Sequence, residues 1–215
     1  MNIKVMLETN TIKFAATKLR MLIPVNRPTY NAKGEMTGVL LYDDGYINPN
    51  DKITDPELRK EADLLPQIAE LTKSGKYELL LDREATWEMW GVPKLNSPDG
   101  LFYGAPISKA ESPAEHTTAL FFPGFSPEEL ATMFFTGIGD ERFKKLAKIC
   151  GAYQGENNWK LNQLRDAFYI WSAEHNKCEF MLTLDFKLMR MLSHAKNYDA
   201  RVKVVKPSEL LEQTD

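Results

Sequence analysis

Cysteine and histidine are scarce: two of the first, Cys150 and Cys178, and three of the second, in 215 residues. The cysteines stand in no paired spacing, so a disulfide scaffold and a zinc finger both lack ligands. An excess of one charge is also missing. The 27 basic and 30 acidic residues leave a net charge of −3. That excludes a protein that coats nucleic acid through bulk basicity and leaves only a local basic patch open. No apolar run approaches the roughly 18–20 residues that span a bilayer. The opening MNIKVMLETN has no apolar leader followed by small residues. There is no repeat, no low-complexity tract and no Gly-rich phosphate loop. These absences point to the cytoplasm and away from a membrane.

Core material is present. Hydrophobic residues make up 43% of the chain and aromatics 11%, which is enough for a real core and supports one domain over 1–215. Ile3 to Leu7 is a short apolar run that ends abruptly at Glu8-Thr9-Asn10, as a buried strand would. Ile12, Ala15, Ala16, Leu19 and Leu22 recur at helical spacing, so a helix is expected up to Pro24. Residues 24–56 are rich in Pro, Asn, Gly and Asp and read as an insertion, with Asp43-Asp44-Gly45 as the turn of a short hairpin. Asp55-Pro56-Glu57 opens a well-capped helix that runs to Gly75 and is kinked or divided at Pro66. Tyr77 to Leu81 is a second strand, followed by a helix that carries Ala85, Glu88 and Met89 and stops near Gly91 and Pro93. Residues 92–125 read as loop and as a second insertion.

Ser126-Pro127-Glu128-Glu129 is a strong helix start. Further helices are expected over 140–150 and 158–175, a strand over 178–183, a helix from Asp185, a strand at Val202 to Val205 and a short helix from Pro207. This alternation predicts an α/β fold: a three-layer sandwich around a mostly parallel sheet of about four to five strands.

Chemistry in such sheets collects outside the C-terminal strand ends. Glu8 follows the first strand directly, Asp185 follows the strand over 178–183, and Glu88 lies one turn into the helix after the second strand. Asp166 lies beside Tyr169, Ile170 and Ala173 on a helix that is apolar on two sides, where an acid is costly unless paired or bound to metal. Four converging carboxylates repel one another, and either protonation or a hard cation relieves this. Oxygen ligands with little His or Cys point to Mg²⁺ or Mn²⁺ and to metal-assisted phosphodiester hydrolysis. The same residues admit a plainer account. Glu8 is then solvated or caps the next helix, Asp185 caps its own helix, and Asp166 pairs with Arg165 or a neighbour.

Three segments resemble the PIN-domain family of metal-dependent nucleases. Lys4 to Asn10 is similar to that family's opening strand, which ends in an acid two residues before Asn. Asp166 to Ala173, with Ile170 and Ala173 following Asp166, resembles its acidic helix. Phe180 to Phe186, with Leu182-Thr183-Leu184-Asp185, resembles a strand end of the same family. Val202 to Leu211 resembles its closing strand and helix. The likeness covers roughly 1–22, 57–91 and 126–212. It departs at Glu8, where the family usually has Asp.

The resemblance implies an endoribonuclease that cuts single-stranded RNA, with Glu8, Asp166 and Asp185 holding Mg²⁺ or Mn²⁺ and Glu88 a ligand directly or through water. Glu84 is a substitute for Glu88. Asn10 and Thr183 would orient carboxylates, although Asn10 also reads as a helix cap and Thr183 as ordinary strand composition. The resemblance further suggests a homodimer and, if the chain is a toxin, an antitoxin-like protein partner. The alternative is a degenerate module that binds RNA or protein without cutting.

Lys187 and Arg190 flank the proposed acidic edge and are candidates for holding substrate phosphates. Lys144, Lys145 and Lys148, and Arg201, Lys203 and Lys206, are read first as solvated or edge-protecting charges. Trp87, Trp90 and Tyr103 are candidates for base stacking, although core positions are commoner at such spacings. Cys150 and Cys178 read as small buried hydrophobes, and the histidines, His116, His175 and His194, carry no assigned chemistry.

Overall fold

The computed structural model describes residues 2–213 apart from 16–18, 27, 39–40, 48–49, 51–52, 91–100, 115–125, 154 and 156–157. In chain order the elements are β1 (Ile3–Leu7), α1 (Thr9–Phe14), β2 (Leu19–Pro24), β3 (Tyr42–Ile47), α2 (Pro56–Ala62), α3 (Leu65–Lys73), β4 (Tyr77–Leu81), α4 (Arg83–Trp90), β5 (Ile107–Lys109), α5 (Pro127–Gly137), α6 (Glu141–Ile149), α7 (Leu161–His175), β6 (Phe180–Leu182), α8 (Phe186–His194), β7 (Lys203–Val205) and α9 (Pro207–Glu212). Five strands form one all-parallel sheet in the order β5-β4-β1-β6-β7. The α/β three-layer architecture expected from the alternation is the one observed.

Burial explains the sheet order. Val5, Met6 and Leu7 on β1 are all fully buried, as are Met181 and Leu182 on β6. Consecutive buried residues mean that both faces of these strands are covered, which is the position of central parallel strands. The outer strands are short and more polar: Ser108 and Lys109 on β5 and Lys203 on β7 are exposed, which protects the edges from further pairing. From β1 the chain winds first through β4 and β5 on one side, then returns through β6 and β7 on the other. The winding reverses at β1, and that reversal opens a crevice at the C-terminal strand ends.

Capping sets several helix starts as the sequence predicts. Asp55 accepts hydrogen bonds from the Glu57 and Leu58 N–H groups, and Ser126 and Glu129 form a reciprocal box on α5. The helix expected up to Gly75 is two helices, with Pro66 in the first turn of the second. A cluster of rings clamps α7 in place. Phe168 meets Phe135 and Phe143 with centroids 5.4 and 6.3 Å apart, and Trp171 meets Phe143 at 5.5 Å. At its other end the chain is fastened by Glu61, a buried acid that accepts the Ser208 N–H and hydroxyl at 2.8 Å each and lies 3.1 Å from Lys206 Nζ.

Three expectations need correction. The helix foreseen up to Pro24 ends at Phe14, and Leu19–Pro24 is instead a strand paired antiparallel with β3. Met21-Leu22-Ile23 is a short apolar run, and spacing alone does not distinguish such a run from a helix segment. Asp43-Asp44-Gly45 is not a turn but lies within β3. The chain reverses nearer Asn31, whose Oδ1 accepts the Lys33 and Glu35 N–H groups at 2.9 and 3.0 Å, with Gly34 at φ 77°. This is an Asx turn, for which Asn and Gly are the suited residues.

The loop reading of 92–125 fails at Ile107–Lys109, which extends the main sheet beside β4. Ahead of it, Phe102 and Tyr103 hold φ of 50° and 56°, a left-handed turn that costs bulky residues about 1–2 kcal/mol each. Full burial of the Phe102 ring offsets that cost. The helix stop expected at Gly91 and Pro93 lies outside the described residues, as do His116 and the side chains of Trp87 and Trp90.

Candidate active site

Glu8 sits where β1 ends between β4 and β6. Its backbone N–H bonds Leu182 O at 3.2 Å, and its side chain is almost wholly buried. Oε1 accepts a hydrogen bond from Asn10 Nδ2 at 2.9 Å, and Oε2 accepts the Thr183 hydroxyl. Thr183 Oγ1 in turn accepts the Asp185 N–H at 2.8 Å. Asp185 Oδ1 accepts the Lys187 and Leu188 N–H groups at 2.8 and 2.9 Å. A continuous chain of hydrogen bonds therefore runs from Asn10 through Glu8 and Thr183 to the start of α8. Asn10 is spent on Glu8 and caps nothing. Asp185 does cap its helix, and only one of its oxygens is used for that.

Glu8, Asp166, Asp185 and Glu88 are close enough to act on one another's charge. Burial pushes the Glu8 carboxyl up to about 8; the Thr183 hydrogen bond opposes this, and the charges of Asp166, Asp185 and Glu88 add to it. Burial likewise pushes Asp166 up to about 7, with Asp185 and Glu88 adding and Lys187 opposing. Asp166 receives no hydrogen bond from the described residues. It does not pair with Arg165, because Arg165 Nε bonds Glu84 Oε1 at 3.2 Å.

Glu88 is different. Burial alone would raise its carboxyl, but hydrogen bonds from Thr9 at 2.7 Å and Tyr169 at 2.9 Å, both to Oε2, outweigh it together with Lys13 and Arg165, and its pKa is lowered. Of the two candidates after β4, Glu88 faces the other acids. Glu84 is buried against Arg165 and Asp82, and burial raises its carboxyl.

Sequence reasoning missed the donors to Glu88. Tyr169 is three residues from Asp166 on the same helical face, and a buried phenol needs a polar partner. That was a usable signal. Thr9 and Lys13 carried none beyond their closeness to Glu8. Also missed was Asp82, fully buried at the end of β4, which accepts the Ser172 hydroxyl at 2.6 Å and the Glu84 N–H at 2.8 Å.

The basic candidates divide. Lys187 is exposed and acts on Asp166. Arg190 is exposed, and its Nε reaches back to Phe186 O at 3.3 Å. Lys144 pairs with Glu141 at 2.9 Å, Lys145 with Asp199 at 2.8 Å, and Lys206 with Glu61 at 3.1 Å, which favours the structural account of these three. Tyr103 is half-buried in its left-handed turn.

The donor chemistry fits a hard cation. The coupled groups offer carboxylate oxygens alone. Burial, with the charge of Asp166 adding, raises the Cys150 thiol and keeps it protonated. The two described histidines, His175 and His194, are exposed at the ends of α7 and α8. Oxygen donors of this kind suit Mg²⁺ or Mn²⁺ rather than zinc. Among the described residues, no three such side chains are gathered into a ready-made metal-binding group.

Compared with family models, curated proteins and solved structures, the chain has no match to any. Among the described residues no helix is long and apolar enough to cross a membrane.

Proposed function

We propose that the chain is a divalent-metal-dependent endoribonuclease that hydrolyses phosphodiester bonds of single-stranded RNA. One observation carries this reading. Asp166 is held among acids at the reversal of the sheet with no hydrogen-bond donor among the described residues, and burial and neighbouring charge raise it to about 7. Such a group is stabilised by a proton or by a cation.

Glu8, Asp166, Asp185 and Glu88 would hold Mg²⁺ or Mn²⁺. A bound ion of this type supplies a water activated for attack and neutralises charge on the phosphoryl group. The chain's own residues supply position. Asn10 and Thr183 fix both oxygens of Glu8, which restrains the extra methylene relative to Asp. Thr9 and Tyr169 fix Oε2 of Glu88 and leave Oε1 with Lys13 alone, 3.5 Å away, among the described residues. Lys187 and Arg190, both exposed on α8, would meet substrate phosphates. Hydrolysis of single-stranded RNA in Mg²⁺ or Mn²⁺ is expected of the wild type and not of Asp166→Asn or Asp185→Asn. Equal rates in all three would remove the proposal.

A second reading has its own support: Glu8 stands where the resembling family has Asp, and no compact metal group is formed among the described residues. The chain is then a module that binds RNA or a protein, such as an antitoxin-like partner or a second copy, without cutting. Calorimetric titration with Mn²⁺ separates the two readings, since only the nuclease requires the ion.

A further inference from the structure

The acids are flanked by two lysines on different elements. Lys13, at the end of α1, places Nζ 3.5 Å from Glu88 Oε1, and its side chain is one-third exposed (33%). Lys187, at the start of α8, is exposed and acts on Asp166. Glu88 belongs to the helix after β4, and Lys187 to the helix after β6. These strands lie on opposite sides of β1. One lysine therefore meets the acids from the β4 side and the other from the β6 side.

The hold of Lys13 on Glu88 is loose. A charge-assisted N–H···O bond is usually about 2.7–2.9 Å, and this contact is 3.5 Å. Glu88 does not depend on it, because Thr9 and Tyr169 bond its other oxygen and Arg165 adds a favourable charge. Lys13 can thus leave Glu88 for an incoming anion without stranding a buried carboxylate. Arg165 cannot do the same, since it is the partner of the buried Glu84.

We infer that Lys13 and Lys187 bind two phosphates of a single-stranded RNA on either side of the acid cluster, so that the backbone between them is drawn across Glu8 and Asp166. This rests on the nuclease reading and adds the direction of the strand, from the α1–α4 side to the α8 side. A cluster of acids repels a polyanion, and a cation on each side of it lowers the barrier to approach at both ends. Arg190 is left outside this pair of contacts: its Nε bonds Phe186 O at 3.3 Å, and its exposed end stays open to a further phosphate.

The test is the salt dependence of RNA binding. A labelled single-stranded oligonucleotide is titrated by fluorescence anisotropy in Ca²⁺, with the strand checked intact on a gel. For single strands each phosphate contact contributes about 0.7 to the slope of log K against log salt. Lys13→Gln is expected to weaken binding several-fold and to flatten the slope by about 0.7, with Lys13→Arg close to wild type. Lys187→Gln should do the same, and the double variant should flatten it by about 1.4.

An unchanged slope in Lys13→Gln, whatever its melting temperature, overturns the assignment, because a lysine that only neutralises Glu88 alters stability and not counterion release. A double variant no flatter than either single places both lysines on one phosphate and overturns the clamp. Failure of the wild type to bind RNA at all counts against the nuclease reading instead.

Discussion

Arg165 bonds Glu84 through Nε at 3.2 Å, while Asp166, the next residue, receives no hydrogen bond from the described residues. One turn of α7 thus carries an ion pair beside a half-buried acid to which no described side chain donates. The Glu84 side chain is 4% exposed and that of Arg165 20%. Removing one partner of such a pair leaves an uncompensated buried charge, which costs about 3–5 kcal/mol, whereas replacing both with apolar groups is often neutral. Arg165→Met is therefore expected to lose roughly that much stability, and Arg165→Met with Glu84→Leu to recover most of it. Urea unfolding of the two singles and the double checks this. A loss in the double equal to the sum of the two single losses would mean that the pair is not coupled.

The acids also set how stability varies with pH. Glu8 is raised from 4.5 to about 8 and Asp166 from 3.8 to about 7, both first by burial. A group raised in the folded state binds its proton more tightly there than when unfolded. Its contribution is fully present below the unfolded value and is lost as pH rises through the folded one. Metal-free protein is expected to lose stability between about pH 4 and 8, at up to 1.4 kcal/mol per pH unit for each group. Asp166→Asn should remove its share of that fall, between about pH 4 and 7, and raise the melting temperature near pH 8. A melting curve that rises with pH in metal-free buffer would contradict the placement of both acids.

The parallel sheet was legible because its central strands carry consecutive apolar residues. Val5 to Leu7 and Phe180 to Leu182 have no alternation that could belong to a half-exposed strand. Capping chemistry was equally plain at Asp55 and Ser126, where side chain and helix start are local partners. β5 was illegible for the opposite reason: Ile107, Ser108 and Lys109 are three residues with one partly buried side chain, and only pairing with β4 makes them a strand. β2 was obscured because Leu19 and Leu22 fall on a helical lattice begun by Ile12 and Ala15.

Within the site, the strand-end acids could be foreseen from position, since Glu8 follows β1 at once and Asp185 stands three residues beyond Leu182, the end of β6. Asp166 was betrayed by its apolar neighbours on α7. The hydrogen bonds to Glu88 were not legible, because Thr9, Glu88 and Tyr169 lie far apart along the chain and meet only after α1, α4 and α7 have packed. The choice between Glu84 and Glu88 had the same obstacle. Both lie on one helical face, and what separates them is Arg165 from another helix.

Tyr169 supplies a sharper test of how Glu88 is held. Its hydroxyl is buried, donates to Glu88 Oε2 at 2.9 Å and lies 3.1 Å from Thr9 Oγ1. Hydrogen bonds to charged groups contribute about 1.5–3 kcal/mol. Tyr169→Phe should cost stability in that range, raise the Glu88 pKa and, on the nuclease reading, lower kcat about ten-fold through a loosened carboxylate, with KM for RNA little changed. Tyr198→Phe is the control, since among the described residues that hydroxyl reaches Val202 O alone, at 3.4 Å. Equal effects of the two substitutions on kcat would mean that Tyr169 serves packing alone.

Protons and metal ions compete for the same oxygens, and this ties stability to the proposed chemistry. With Glu8 near 8 and Asp166 near 7, both must release protons before they bind Mg²⁺ or Mn²⁺, so affinity should rise with pH through that interval. A ligand at one hundred times its dissociation constant stabilises by about 2.7 kcal/mol. Saturating Mn²⁺ should therefore raise the melting temperature more at about pH 8 than at pH 6, offsetting the loss that the free protein suffers over the same range. Asp166→Asn should abolish that pH-dependent gain while melting higher than wild type in chelator. Calorimetry at the two pH values, with proton release read from buffers of different ionisation enthalpy, checks the linkage directly. Mn²⁺ that binds with no proton release, or that stabilises Asp166→Asn as much as wild type, would place the ion away from these acids.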